Sequence, residues 1–228
     1  MRQNIKVAVD AIVFGYSNGQ LLVLLIRRKH GELKGQWALP GGFVKDDEGL
    51  DTAVVRELQE EAGITVSFLE QLYTFGDQVD RDPRFRVISV AYFALVNPSR
   101  LVLKADTDAE DAQWFPVQDL PALAFDHADI IRMAVSRLQS KLKYQPIGFD
   151  LLPEQFLFSD LEQLYATILD QAIDRRNFRK KILSLGVVEE TSHKLQQQSG
   201  RPAMLFRFNK RKYQKLLKEG ISFEIKFA

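Results

Sequence analysis

Residues Gly42 to Ile64 read GFVKDDEGLDTAVVRELQEEAGI, and everything else in the chain is interpreted around them. From about Gly49 to Ala62 the stretch reads as a helix. Leu50, Ala53, Val54 and Leu58 recur at helical spacing and predict one apolar face. Gly63 predicts the stop, since glycine enters the left-handed conformation that closes a helix without strain. On such a helix Glu57, Glu60 and Glu61 lie three and four residues apart, so their carboxylates are expected to converge on one side. Three carboxylates so placed repel one another without a cation, and hard oxygen donors suit Mg²⁺ or Mn²⁺. A metal held there polarises a pyrophosphate and lowers the pKa of an attacking water. Arg56 is expected to pair with Glu60 one turn on and hold the cluster in shape. Gly41 and Gly42 let the backbone bend tightly against metal and phosphates.

A solvated acidic helix with an ordinary C-cap explains the charges but not the register. Gly42 is followed after five residues by Glu48, and after seven more by Arg56-Glu57-Leu58-Gln59-Glu60-Glu61-Ala62-Gly63-Ile64. That pattern fills every fixed position of the Nudix box, so the segment resembles the Nudix hydrolases. The resemblance implies binding, and usually cleavage, of a nucleoside diphosphate linked to another moiety, with a divalent metal. Carried onto this chain it makes Glu57, Glu60 and Glu61 the expected metal ligands, and those three with Arg56 the expected catalytic set.

The flanks agree. KVAVDAIVFGY (6–16) and QLLVLLIRR (20–28) read as two strands around the turn Ser17-Asn18-Gly19. WALPGGFV reads as one short strand entering the box loop. ITVSFLEQLYTFG, RVISVAYFALV and DAQWFPV are rich in β-branched and aromatic residues and read as further strands. DHADIIRMAVSRLQSKLK (126–143) has helical periodicity. With no cysteine, neither a disulfide framework nor a Cys-based zinc site is available. His30, His127 and His193 are dispersed, which argues against a histidine metal site. No apolar run is long enough for a bilayer and no signal-type h-region stands at the N-terminus, so a cytoplasmic protein is expected.

The net charge of +1 conceals an asymmetry. Residues 1–147 hold 17 Lys+Arg against 20 Asp+Glu, a net of −3; residues 148–228 hold 14 against 10, a net of +4. Within 174–218 the count is 13 against 3, a net of +10, a basic concentration that points to nucleic acid. Tyr144 to Gly148 breaks the preceding helix and reads as a linker. SDLEQLYATILDQ (159–171) reads as a helix capped by Ser159 with Glu162 three residues on, burying Leu161, Leu164, Tyr165 and Ile168. After a short turn, Asp174 is expected to cap a second helix, DRRNFRKKILSLG, that ends at Gly186. VVEETSHKL and PAMLFRF read as a hairpin with Gln196 to Arg201 at its tip. Helix, turn, helix and hairpin is the winged-helix arrangement. Its second helix would offer Arg175, Arg176, Asn177, Arg179 and Lys180 to the major groove, with Arg201 on the wing. Lys210, Arg211, Lys212, Lys215 and Lys218 add less specific attraction.

Together the two halves resemble the Nudix-related transcriptional regulators, the NrtR family. Besides the box, the resemblance rests on RDPRFRVISVAYFA (81–94), AFDHADII (124–131) and FDLLPEQFLFSDLEQLYATILDQAIDRRNFRKKI (149–182). It implies an α/β chain: a Nudix α/β/α sandwich over residues 1–145, then a C-terminal winged-helix DNA-binding domain over 149–228. It implies a repressor of bacterial NAD metabolism genes, a double-stranded DNA operator, and ADP-ribose or a related NAD-derived nucleotide as effector. Related regulators of the same layout respond to sugars. For the effector pocket Arg27, Arg28, Asp77, Arg84, Phe85 and His127 are the candidates, since a pyrophosphate wants guanidinium forks and an adenine wants an aromatic face. A winged helix reads a short half-site, so a homodimer is expected. The family often carries a degenerate box and no hydrolase activity; here the box is intact. An ADP-ribose pyrophosphatase with an accessory nucleic-acid-binding domain therefore stands as the alternative, with Asp108, Glu110 and Asp111 as candidate bases.

Overall fold

The computed structural model describes residues 4–31, 33–101, 103, 109–196 and 202–228. They form two compact units, Met1–Arg137 and Leu138–Ala228.

The first unit is organised on β1 (Ile5–Ser17), which is apolar and buried through its middle. A two-residue turn, Asn18-Gly19, with φ of 50° and 74°, returns the chain as β2 (Gln20–Arg28). Positive φ at both positions matches the right-handed twist of the paired strands, and Asn-Gly tolerates it. The segment read as one short strand is two, β3 (Trp37–Ala38) and β4 (Gly41–Phe43), which pair with β2 and β1 respectively. Pro40 lies between them and offers no N–H to a continuous ladder. β5 (Leu69–Phe75), β6 (Arg86–Leu95) and β7 (Ala109–Pro116) complete a seven-stranded sheet of order β3-β2-β1-β6-β5, with β7 also on β2. β6 runs parallel to β1 and the remaining pairs are antiparallel.

The box helix α1 spans Leu50–Ala62, between Gly49 and a left-handed Gly63. Ala53, Val54, Leu58 and Ala62 join Val9, Ala11, Val13, Leu24 and Ile26 in one core. A second helix, α2 (His127–Tyr144), buries Ile130, Ile131 and Ala134.

In the second unit α3 (Phe158–Leu169) begins one residue before Ser159, so Ser159 is not its cap. Asp160 at the third helical position instead accepts from the Leu157 N–H at 2.9 Å. Leu161, Leu164, Tyr165 and Ile168 are buried as expected. The helix breaks after Tyr144, and Pro146 to Gly148 are buried. The Tyr165 hydroxyl donates to the Ile147 carbonyl at 2.8 Å. α4 (Arg175–Leu185) buries Phe178 and Ile182 and ends on left-handed Gly186. β8 (Phe156–Leu157), β9 (Val188–Leu195) and β10 (Ala203–Phe208) form an antiparallel sheet of order β8-β10-β9. A basic helix, α5 (Lys210–Glu219), follows.

Candidate nucleotide cavity and nucleic-acid interface

Two glycines set the floor of the candidate site. A Cβ on Gly42 would meet Glu57 Oε1 at 2.3 Å, and one on Gly41 would meet the Val9 carbonyl at 2.2 Å. Without side chains there, the turn presses against α1, and the Gly41 N–H donates to Glu61 Oε2 at 2.7 Å. Arg56 is the hub of the box. Its Nη1 reaches Glu57 Oε1 at 2.6 Å and Glu60 Oε2 at 3.0 Å, and Nε and Nη2 grip Glu48 at 2.9 and 2.5 Å. Hydrogen bonds from Arg56 and from the Lys45 N–H hold the Glu48 pKa down at about 2. Burial raises the Glu57 pKa, against the hydrogen bond from Arg56.

The three carboxylates expected as metal ligands are not placed alike. Among the described residues no three Asp, Glu or His groups stand together as a metal site. Glu57 and Glu61 face a cavity of about 330 Å³, but Glu60 does not line it. Helical spacing put three carboxylates on one side; Arg56 pairs with Glu57 and Glu60 alike, and Glu60 is the more exposed of the two, at 40% against 11%. The fit to a divalent cation is therefore that of two buried hard-oxygen donors, Glu57 and Glu61, beside glycine backbone.

The rest of the cavity is built on a buried polar network. Asp10 accepts from the Ser89 hydroxyl at 2.5 Å, and its oxygens lie 3.5 Å from Arg81 Nη2 and from His127 Nε2. Arg81 makes a bidentate pair with Asp126, at 2.9 and 2.6 Å. His127 Nδ1 accepts from the Leu39 N–H at 2.9 Å, which leaves the proton of the neutral ring on Nε2, toward Asp10. Burial lowers the His127 pKa and favours that neutral form. Arg84 is gripped by Asp82 at 3.0 and 2.8 Å.

Of the six effector candidates, Arg28, Arg84 and His127 line this cavity. Arg27 does not; its Nε donates to the Gly35 carbonyl at 3.1 Å. Asp77 lines a separate cavity with Tyr73, Phe75 and Met133. Phe85 is 45% exposed and meets Phe43 edge-on at 6.4 Å, outside the cavity. Asp10, Arg81, Asp82 and Phe125 line it and were missed. A signal existed: Asp10 interrupts the apolar run of β1, and the other three sit in RDPRFR and AFDHAD. Asp111 is engaged within its own strand, accepting from the Ala112 N–H at 2.8 Å and from the Gln113 amide at 2.5 Å. Asp108 and the Glu110 side chain lie outside the described residues, as does Arg201.

The second candidate surface is α4. Asp174 Oδ1 accepts from the Asn177 N–H at 3.0 Å, the expected cap, and that bond lowers its pKa. The Asn177 amide also donates to Asp174 Oδ2, so the cap engages the group expected to read adenine. Arg175, Arg176, Arg179 and Lys180 are exposed. Arg179 is set apart: its guanidinium carbon lies 4.4 Å over Phe158 and 5.3 Å over Phe206. Contact with two aromatic rings restricts the cation while the residue remains exposed.

The cavity over a glycine turn and an acidic helix lies in a Nudix domain: residues 4–134 match the NUDIX domain family. Residues 148–208 match the NrtR DNA-binding winged helix domain. The "ADPR responsive transcriptional repressor NtrR" of Acinetobacter baylyi is 36% identical over 204 residues, 88% of this chain and 80% of that protein. The structure of Shewanella oneidensis NrtR complexed with a 27mer DNA superposes with a TM-score of 0.79 at 30% identity, covering 91% of this chain and 95% of that one. The NUDIX domain of the same protein complexed with ADP ribose covers 60% of this chain and 90% of that one, with a TM-score of 0.55 and 35% identity. An ADP-ribose pyrophosphatase of Methanocaldococcus jannaschii is 43% identical over 126 residues, 55% of this chain and 70% of that protein. The chain belongs to the NrtR family, a Nudix domain joined to a winged helix.

Proposed function

We propose that the chain is a DNA-binding transcriptional repressor of NAD metabolism genes whose Nudix domain binds ADP-ribose as effector, acting as a cytoplasmic homodimer. The observation that carries this reading is the presence in one chain of two built surfaces. One is a cavity with Arg28 and Arg84 above Glu57 and Glu61; the other is a capped helix exposing Arg175, Arg176, Arg179 and Lys180. The name of the Acinetobacter relative and the two Shewanella complexes support the same pairing. No described helix is long and apolar enough to cross a membrane.

On the DNA side, Arg175, Arg176 and Lys180 neutralise phosphates while Arg179 presents a fixed guanidinium edge to a base. In the cavity, Arg28 and Arg84 meet the diphosphate. The effector can weaken operator binding only by binding the DNA-competent and incompetent states unequally.

A second reading is turnover, favoured by the complete Arg56 hub. Glu57 and Glu61 would hold Mg²⁺ or Mn²⁺, which supplies charge neutralisation on the diphosphate and an acidified water. Arg56 keeps the Glu57 carboxylate oriented for that role.

One experiment separates the readings. ADP-ribose is titrated into the protein–promoter complex while AMP release is followed in the same tube. Release of DNA without AMP is the expected result. By reciprocity, operator DNA weakens ADP-ribose binding by the same factor, about 1–3 kcal/mol of coupling. Equal ADP-ribose affinity with and without saturating operator would remove the sensing function, and AMP release alone would leave the enzyme.

A further inference from the structure

Phe125 is bent into the left-handed region, with φ of 54°. A bulky side chain there is a genuine outlier, and such strain collects at ligand sites. Both flanks pin it. The Ala124 N–H donates to the Trp37 carbonyl at 2.8 Å, and Asp126 is locked to Arg81. The chain therefore holds the ring of Phe125 at the cavity wall against its own backbone preference.

The ring packs against the apolar core and the His127 ring, 5.3 Å between centroids, and it also meets two cations. The guanidinium carbon of Arg28 lies 5.1 Å from its centroid and that of Arg84 lies 5.5 Å away. Arg84 is also 5.9 Å over Phe43, and its other edge is held by Asp82. One ring thus gathers two like charges at a cavity whose floor is acidic. Attraction of each cation to the ring quadrupole offsets their mutual repulsion, and an anion between them offsets more. A guanidinium fork matches one phosphoryl group. Two guanidiniums around one ring, one of them braced by Asp82, match two adjacent phosphoryl groups, while a lone phosphate engages only one.

Resting on the nucleotide reading of this cavity, we propose that Phe125 is a positioning residue that gives the site its preference for diphosphates over monophosphates. It does so by fixing Arg28 and Arg84 as a pair. The ring acts through the arginines that cover it and is not the platform on which a base stacks.

The test uses the full chain, titrated calorimetrically with inorganic pyrophosphate and inorganic phosphate, and separately with ADP-ribose. The unaltered protein is expected to favour pyrophosphate by at least about tenfold, the gain of a second fork. In Phe125→Leu, which keeps bulk but has no ring, the ratio is expected to fall below about threefold. Phe125→Tyr, which keeps the ring, restores it. Phe125→Gly adopts the same φ without strain and guards against misfolding; it is expected to lose the ratio as the leucine variant does, with a normal melting transition. An unchanged ratio in either ring-less variant overturns the proposal, as does the absence of any preference in the unaltered protein. Pyrophosphate preference that depends on the ring, in a protein that does not bind ADP-ribose, supports the role of Phe125 and sinks ADP-ribose as the effector. ADP-ribose bound equally well by Phe125→Leu and the unaltered chain sinks the role of Phe125 and spares the effector.

Discussion

Replacing Asp126 with alanine removes the bidentate partner of Arg81. The two side chains are only 5% and 12% exposed, so the guanidinium left behind stays largely shielded from bulk water and has lost its carboxylate. The other carboxylate beside it is Asp10, at 3.5 Å and already engaged by Ser89. Removing one partner of a buried ion pair costs about 3–5 kcal/mol, most of it the uncompensated charge. Both tryptophans, Trp37 and Trp114, lie in the first unit, so their fluorescence in urea follows that unit alone. With a slope of about 2 kcal/mol per molar urea, the midpoint should fall by roughly 1.5–2.5 M. Arg81→Met combined with Asp126→Leu should recover most of the loss, since apolar pairs of similar volume replace buried ion pairs at little cost. A midpoint that moves by less than roughly 0.5 M in Asp126→Ala would show that the pair is not desolvated as described.

Four further outcomes are expected. Arg175, Arg176 and Arg179 replaced together by alanine should abolish operator binding in gel shifts and leave ADP-ribose binding intact, since each contact is worth about 1–3 kcal/mol; undiminished shifts would remove α4 from DNA recognition. Glu57→Gln with Glu61→Gln should eliminate any Mg²⁺- or Mn²⁺-dependent AMP release, and persistent release would place the metal elsewhere. Because burial raises the Glu57 pKa above its unfolded value, its ionisation opposes folding as pH rises; Glu57→Gln alone should therefore melt higher at neutral pH, with the advantage shrinking as pH falls toward 4.5 and gone below it. Glu48 should titrate by NMR at about 2 and return toward 4.5 in Arg56→Ala; the stabilisation it supplies is complete above pH 4.5 and lost as pH falls toward 2, and an unmoved titration would contradict the hub.

The parts of this fold that were legible are those fixed by local chemistry. Asn18-Gly19 announced its hairpin, Gly63 and Gly186 closed their helices, and Asp174 capped α4. Helical spacing put Glu57, Glu60 and Glu61 on one side of α1 and paired Arg56 with Glu60, as found, but it could not say that Glu57 and Glu61 alone would line the cavity. β8 is two residues long and too short for any periodicity. The network beneath the cavity joins residues far apart in sequence, 45 positions for Arg81 and Asp126 and 79 for Asp10 and Ser89. An isolated aspartate in an apolar strand hints at such a partner without naming it. Phe125 was hidden for another reason: its role lies in a backbone angle that the residue type argues against.

The parallel pairing of β1 with β6 has a consequence for how the chain is made. Ile5 pairs with Arg86, so the first strand waits for a partner roughly 80 residues downstream. At ribosomal rates of about 5–20 residues per second, that is a delay of roughly 4–16 s. During it, β1 has only the β2 hairpin and short β4 to cover one of its two edges, and an apolar strand buried in the finished sheet stands open to the solvent and to other chains. The sheet is therefore a late event in synthesis, and yield should respond to translation speed before residue 95 more than to any change in the winged helix.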